Sequence, residues 1–196
     1  MMLRWCIAMM CLGLMAGCGE KPGSSRAEQN SKTEESGGGT SIGPLRLLDY
    51  AATPPASWTA EAPSNNMRLA QFLTPGAEGS DPGEAIVFFF GSGQGGSVEA
   101  NLQRWSSQVK DAAGSPVQPK IDKPKGTKFP TTVAEYNGTY TRTGGMGVPS
   151  TPKDNQTMIA AIMETPKGSL FLQLTGSAET VDAQREAFME FVKSVN

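Results

Sequence analysis

Three glycines in the middle of the chain have the spacing of a dinucleotide-binding loop. Gly91, Gly93 and Gly96 form G-x-G-x-x-G between the apolar run EAIVFFF and a helix-like segment that begins at Ser97. In such a loop the glycines allow a tight turn and let the backbone approach a pyrophosphate at the start of a helix. The pattern therefore raises the question whether this segment holds a nucleotide.

The residues that follow argue against a dinucleotide. The dinucleotide fold needs a second, parallel strand with an acidic residue for the ribose. Here the next stretch is KDAAGSPVQPKIDKPKGTKFP, in which neither Asp111 nor Asp122 ends an apolar run. A P-loop is excluded as well, because no Gly-Lys-Ser or Gly-Lys-Thr follows the glycines. We expect residues 91–96 to end a strand and to reverse the backbone into a helix.

Binding by the same loop stays open as an alternative, because exposed amides at a helix start can hold an anion or a partner's backbone. The candidate binding loop joins glycines to polar residues of the loop and helix: Gly91, Gly93, Gln94, Gly95, Gly96, Ser97, Asn101 and Arg104. The helical period places Ser97, Asn101, Arg104 and Gln108 on one stripe. The main interpretation is that Asn101 and Arg104 satisfy loop carbonyls, with ligand binding as the alternative.

Most side chains of metal and nucleophilic catalysis are missing from the part of the chain after residue 18. The protein has no histidine, and its three cysteines lie within the first eighteen residues. Zinc and copper ligand sets, cysteine nucleophile dyads and histidine-based triads are therefore excluded there. Glu78, Asp81 and Glu84 could attract calcium, but EGSDPGE lacks the pattern of a calcium loop and is interpreted as a turn. We expect no catalytic residue, no metal and no cofactor.

The N-terminal residues are typical of a secretory signal segment. Arg4 precedes an uncharged stretch, residues 5–17, that is too short to span a bilayer as a helix. Its end, LMAGC, resembles the bacterial lipobox, which implies that Cys18 receives diacylglycerol and becomes the first residue of a membrane-held lipoprotein. Gly19 after the cysteine favours the outer membrane. The alternative is an ordinary cysteine in an uncleaved anchor.

Composition divides the chain into three parts. Residues 1–17 are the signal peptide, residues 18–44 are the lipidated cysteine and a polar flexible linker, and residues 45–196 are long enough for one domain. Removal of Arg4 with the signal leaves 16 basic and 19 acidic residues. This mild acidity argues against nucleic acid as a partner. The lysine-rich stretch PKIDKPKGTK is interpreted as a solvated loop, with an anion site as the alternative.

Several segments have the alternation of strands. MRLAQFL is predicted to place Met67, Leu69 and Leu73 on one apolar side, and EAIVFFF to be central in its sheet. TTVAEYNGTYTR is either one long strand or a hairpin at Asn137-Gly138, and TMIAAIMETPKGSLFLQLTG is a hairpin that turns at residues 166–168. The stretch before them supplies one or two strands, with Trp58 in the core. TGGMGVPSTPKDN, residues 143–155, is a second candidate binding loop.

Two segments have the period of amphipathic helices. The first begins after Ser97 as N-cap and the second ends the chain. Their apolar faces are formed by Val98, Leu102, Trp105 and Val109 in the first helix and by Val181, Phe188, Val192 and Val195 in the second. These elements predict an α+β fold, an antiparallel sheet covered by helices.

The chain also resembles a known fold family over residues 45–196. The segments that carry the resemblance are MRLAQF, GQGGSVEANLQRW, EYNGTY and FLQLTGSAETVDAQREAF. They are similar to uncharacterised bacterial envelope proteins of PsbP-like fold. The resemblance implies an antiparallel sheet sandwiched by helices, in a family of chiefly noncatalytic subunits and assembly factors that bind other proteins.

The leading hypothesis is a membrane-anchored binding or scaffolding module of the bacterial cell envelope, with an unidentified protein as partner. Its contact surface is predicted to combine the glycine loop with residues 143–155. The competing hypothesis is an enzyme or cofactor carrier that holds a phosphate or nucleotide in GSGQGG. A third is lipid carriage between the sheet and a helix.

Overall fold

The computed structural model describes residues 43–141 and 151–196; the signal segment, Cys18 and the linker up to residue 42 lie outside the described residues. The elements in chain order are β1 (Leu45–Leu47), β2 (Tyr50–Ala52), β3 (Thr59–Glu61), β4 (Arg68–Thr74), β5 (Gly83–Phe89), α1 (Val98–Gln108), β6 (Val109–Lys110), β7 (Lys120–Asp122), β8 (Thr131–Tyr140), β9 (Lys153–Thr165), β10 (Gly168–Ser177) and α2 (Ala178–Ser194).

An eight-stranded antiparallel sheet forms the centre of the domain. Its strand order is β3-β4-β5-β10-β9-β8-β6, and β7 pairs with β8 beside β6. β1 and β2 form a separate hairpin. β5 lies between β4 and β10, as its continuous apolar run predicts. The predicted α+β class with a mainly antiparallel sheet is confirmed.

The helices pack on opposite faces of the sheet. Buried residues divide into two clusters, one containing α2 and the other α1. β9 shows the division directly, because Ile159 and Ala161 belong to the α2 cluster while Met158 and Ala160 belong to the α1 cluster. Since successive side chains of a strand point to opposite faces, one strand supplies both cores.

The predicted helix faces are confirmed. Ser97 caps α1 by accepting a hydrogen bond from the amide of Ala100. In the α1 cluster, Val98 is partly buried and packs against the three buried residues Leu102, Trp105 and Val109. The predicted face of α2 is fully buried: Val181, Phe188, Val192 and Val195.

Trp58 lies in the core, as predicted, at the centre of an aromatic group on the α2 face. Its ring centroid is 5.8 Å from that of Phe72 and 5.6 Å from that of Phe191, and the two phenylalanines are 5.9 Å apart. The indole Nε1 donates a hydrogen bond of 2.9 Å to Oε1 of Gln184 in α2. Trp58, the residue just before β3, thereby joins the C-terminal helix to β4.

The predicted apolar side of β4 is wrong. Ala70 and Phe72 are 5% and 1% exposed, whereas Met67 and Leu73 are 51% and 40% exposed. The pairing with β5 shifts just before Ala70. A bulge of this kind inserts a residue and changes which side chains face the core. Leu69 therefore packs with Ala70 and Phe72 against the α2 cluster.

The Asn137-Gly138 dipeptide lies inside one long strand, β8, so the long-strand alternative is confirmed. A Cβ atom on Gly138 would lie 2.2 Å from the carbonyl oxygen of Lys110 in β6. Glycine is needed here for close approach of two strands. The predicted β9–β10 hairpin is confirmed, with Thr165 and Gly168 as the last pair before the turn.

Two predicted loops are partly strand. Residues 153–155 of the second candidate loop begin β9, and residues 142–150 lie outside the described residues. The lysine-rich stretch contributes the exposed strand β7 before it continues as a loop. Within residues 43–141 and 151–196, the helices are not long and apolar enough to cross a membrane.

Candidate binding surface

The glycine loop, residues 91–97, connects the end of β5 to α1. Gly91, Gly93, Gly95 and Gly96 all have positive φ, between 69° and 104°. The amide of Gln94 donates a 3.1 Å hydrogen bond to the carbonyl of Gly91, which closes a turn. The expectation that the glycines let the backbone reverse into a helix is confirmed, because L residues other than glycine rarely adopt these angles.

Asn101 holds this loop against α1. Its side chain is fully buried, and Nδ2 donates hydrogen bonds of 2.8 Å to the carbonyls of both Gly95 and Ser97. The guanidinium of Arg104 donates to Oδ1 of Asn101. The structure thus brings all the predicted loop residues together, and Asn101 satisfies loop carbonyls as the main interpretation had it. Gln94 is exposed.

The strand directions differ from those of a dinucleotide-binding fold. The strand after α1 is β6, which pairs antiparallel with β8 at Tyr140. In a dinucleotide fold the strand after the helix runs parallel to the strand before it. The following strand, β7, is also antiparallel to β8 and is exposed. The expectation that no buried parallel strand follows the helix is confirmed for the described strands.

A chain of aromatic contacts links the glycine loop to β4. An ideal Cβ on Gly95 would lie 2.8 Å from the ring of Phe171 and 3.1 Å from that of Phe90. The Phe90 ring stacks on Phe88 at 6.1 Å, and the guanidinium carbon of Arg68 lies 5.6 Å from the Phe88 centroid. These side chains all lie on the α1 face of the sheet.

Arg68 belongs to a polar network on the same face, formed by Glu61, Arg68, Gln71 and Glu84. Nη1 of Arg68 donates to Oε1 of Gln71 at 2.7 Å and to Oε1 of Glu84 at 3.1 Å. Nε2 of Gln71 donates to Glu61 at 2.9 Å. The side chains of Arg68 and Glu84 are only 12% and 16% exposed. The Arg68 network is therefore ordered and partly exposed, since all four of its residues are of intermediate burial.

No pattern in the sequence predicts the Arg68 network. The bulge before Ala70 brings Arg68 to the same face as Gln71, and a bulge has no clear signature in MRLAQFL. Glu84 was considered only with Glu78 and Asp81 as a calcium cluster. In the part of the chain that the structure describes, no group of three or more acidic, cysteine or histidine side chains is placed to hold a metal ion.

The EGSDPGE segment forms the predicted turn. The amide of Ser80 donates to the carbonyl of Ala77 at 2.9 Å. The Oγ1 atom of Thr180 in α2 accepts from the Ala77 amide at 3.1 Å and donates to the Asp81 carbonyl at 2.9 Å. The segment is thus held to the start of α2 by a side chain.

The two candidate loops are attached to opposite ends of α1. The glycine loop precedes the first residue of this helix, while the amide of Thr141, the last described residue before the second loop, bonds to the carbonyl of Gln108 at 2.9 Å. A helix of eleven residues is about 16 Å long. Thr141 and the glycine loop are therefore separated by about the length of α1.

Tyr136 of β8 joins the sheet to α1. It is fully buried, and its hydroxyl donates a 3.0 Å hydrogen bond to the carbonyl of Leu102. Burial raises the pKa of Tyr136 to about 12. The side chain therefore stays a neutral donor over the ordinary pH range, and the helix that carries Asn101 and Arg104 keeps its position.

On the α2 face, Arg185 forms a forked ion pair with Glu135. Its Nη1 and Nη2 atoms donate to the two carboxylate oxygens at 2.7 and 2.8 Å, and Nη2 also donates to Asp182. These hydrogen bonds from Arg185 hold the pKa of Glu135 below its ordinary value of 4.5. The same bonds raise the pKa of Arg185.

We expect Arg185→Met to make stability less dependent on pH. Because the folded pKa of Glu135 is lowered, the pair stabilises the protein above about pH 4.5, and this contribution is lost as the pH falls through the lower folded value. Arg185 is 40% exposed, so solvent screens the pair and we expect a loss of about 1 kcal/mol at pH 7. Urea unfolding of both proteins at pH 7 and pH 3 measures the difference in unfolding free energy at each pH. An equal difference between variant and wild type at both pH values would contradict the assignment.

Comparison with known proteins does not assign the chain to a family. No protein-family model matches it, and no curated protein matches it in sequence. A crystal structure of a Pseudomonas aeruginosa protein of unknown function is similar over 77% of this chain and 93% of that one, with 12% sequence identity and a TM-score of 0.44. A similarity at this level identifies neither a family nor a function.

Proposed function

We propose that the protein is a lipoprotein of the bacterial cell envelope whose domain is a noncatalytic binding or scaffolding module. In this proposal Cys18 carries the lipid, the polar residues after it are a flexible tether, and the outer membrane is the favoured location. The domain is of the PsbP-like sandwich type. The packing of α1 and α2 on opposite faces of an antiparallel sheet supports that fold.

The observation that carries the proposal is the ordered surface on the α1 face of the sheet. It runs from the exposed part of the glycine loop through Phe90 and Phe88 to the Arg68 network. Arginine and aromatic side chains supply much of the binding energy at protein interfaces. Because hydrogen bonds and ring contacts already hold these groups, a partner would lose little entropy by ordering them.

The proposed partner is a protein, and the contact surface consists of residues 91–97 with the Arg68 network. The mild net negative charge of the mature chain supports a protein over a nucleic acid. The exposed Gln94 lies at the tip of this surface, whereas the exposed Glu186 lies on α2, on the opposite side of the sheet. These two positions provide a test site and a matched control.

The test uses the full chain expressed in bacteria with a labelled fatty acid. We expect the wild type to be labelled and to sediment with membranes, and Cys18→Ser to be unlabelled and soluble. A photo-crosslinking amino acid at Gln94 should give a discrete adduct with one protein, and the same amino acid at Glu186 should not. A labelled Cys18→Ser protein would overturn the anchor, and equal crosslinking at both positions would overturn the contact surface.

A further inference from the structure

The lysine-rich loop borders an open pocket at the protein surface. Its volume is about 480 Å³, and it is lined by residues 123–132 and by Glu164 of β9. This volume lies within the range of about 300–1,000 Å³ that is typical of ligand sites. The pocket opens to solvent at the edge of the sheet, where β7 and β8 meet the loop.

The pocket is positively charged. Lys123, Lys125 and Lys128 line it, against the single carboxylate of Glu164. Within residues 43–141 and 151–196, these three lysines form no ion pair. By contrast, Lys167 in the turn between β9 and β10 pairs with Asp49. Three cations around one opening attract an anion with more than one negatively charged oxygen.

The loop backbone is held in place. The Oγ1 atom of Thr131 donates to the carbonyl of Phe129 at 2.9 Å, and the amide of Glu164 donates to the carbonyl of Pro130 at 2.9 Å. The ammonium group of Lys128 lies 5.5 Å from the centroid of the Phe129 ring. These contacts fix the end of the loop at residues 129–131, next to Lys128, while the three lysine side chains are exposed and open to an anion from solvent.

The pocket lies near the point where the chain enters the domain. The ring of Phe129, which lines the pocket, is 5.0 Å from that of Tyr50. Tyr50 begins β2 and is paired with Leu47 in β1, the first strand of the domain. In the sequence, the proposed lipid-bearing cysteine precedes this strand by fewer than thirty residues. The entry to the domain and the lysine pocket are therefore on the same side.

We propose that the pocket binds the phosphate group of an anionic phospholipid headgroup and so orients the domain on the membrane. A lipid headgroup and free phosphate would both present a phosphate anion to the lysines. The position of the pocket beside the residues where the chain enters the domain favours the lipid. The inference rests on the proposed function only for the presence of a membrane. Its test does not require Cys18.

The experiment uses a chain of residues 43–196, which contains every residue of the two hydrophobic clusters and lacks the lipid. Its folding is checked first by thermal unfolding. Cosedimentation is then measured at about 0.1 M salt, where charges interact over about 10 Å. The vesicles are phosphatidylcholine alone, or phosphatidylcholine mixed with phosphatidylglycerol.

We expect binding only to the vesicles that contain phosphatidylglycerol. One basic residue at an anionic surface changes the partitioning of a protein onto the membrane by roughly five-fold. Lys125→Gln should therefore weaken vesicle binding about three- to five-fold. The change of Lys123, Lys125 and Lys128 together to glutamine should weaken it at least about twenty-fold. Lys153→Gln removes the same charge from an exposed lysine at the far end of β9 and should have less than about a two-fold effect.

Absence of binding to the anionic vesicles would overturn the inference, as would equal binding by the wild type and the folded triple variant. A second pair of measurements adds inorganic phosphate to the protein, alone and with the vesicles. If phosphate shifts the amide resonances of the loop while the vesicles do not bind, the lipid assignment is wrong and the site is one for free phosphate. If phosphate displaces the protein from vesicles more than chloride does at equal ionic strength, recognition of the headgroup phosphate is supported.

Discussion

Phe191→Ala is expected to lower the free energy of unfolding by about 3–5 kcal/mol, the range observed when a buried aromatic side chain is truncated. Phe191 is 1% exposed and makes edge contacts with Trp58 and Phe72. Removal of its ring leaves a cavity between α2 and the sheet that these rigid neighbours cannot fill. Urea unfolding of residues 43–196, followed by the fluorescence of Trp58 and Trp105, measures the loss.

Two further variants make this result interpretable. Phe191→Leu keeps most of the buried volume and should cost less than Phe191→Ala, about 1–2 kcal/mol. Glu190→Ala changes the adjacent, exposed residue of the same helix and should stay within about 0.5 kcal/mol of the wild type. A loss below about 2 kcal/mol for Phe191→Ala would contradict the packing of α2 on the aromatic group.

Gly95→Ala is expected to cost about 3 kcal/mol. The residue has φ of 92°, where an L side chain is strained by roughly 1–2 kcal/mol. In addition, the new Cβ would lie 2.8 Å from two ring carbons of Phe171, a fully packed residue of the α1 cluster. Overpacking of this kind typically costs another 1–3 kcal/mol. Thermal or urea unfolding measures the total loss of unfolding free energy from both causes.

Gly93→Ala is the matched control, because Gly93 also has positive φ but an added Cβ would meet no atom within 4 Å. We expect it to cost only about 1 kcal/mol. Equal losses for the two variants would show that contact with Phe171 does not matter. Gln94→Glu tests the alternative role of the loop: if the loop is structural, stability stays within about 0.5 kcal/mol, whereas an anion that binds here would be repelled.

The prediction of the glycine loop succeeded because the constraints on it are local. A strand that ends in EAIVFFF, four glycines and an N-cap serine specify the reversal of the chain before any tertiary contact forms. The helical faces are equally local, since the 3.6-residue period places the apolar residues on one side. The role of Asn101 was also foreseen, because an amide next to open carbonyls tends to satisfy them.

One choice that the sequence left open and one wrong prediction both concern places where distant segments meet. Asn137-Gly138 has the composition of a hairpin turn, yet Gly138 is required by the backbone of Lys110, nearly thirty residues earlier in the chain. The predicted apolar side of β4 was wrong because Leu73 lies opposite to Phe72 by ordinary strand alternation, while a bulge against β5 brings Leu69 to the side of Ala70. Neither the bulge nor the close approach can be recognised from the strand's own residues, because both depend on the partner strand.

The sequence by itself determined the α+β class, the two helix faces and the reversal at the glycines, since each depends on residues close together in the chain. The export signal and the lipobox stay predictions. Only the tertiary structure decided that Arg68, Gln71 and Glu84 form one network and that the lysine loop borders an open pocket beside Tyr50. Strand order and register bring these groups together, and both are set by long-range pairing that no local pattern encodes.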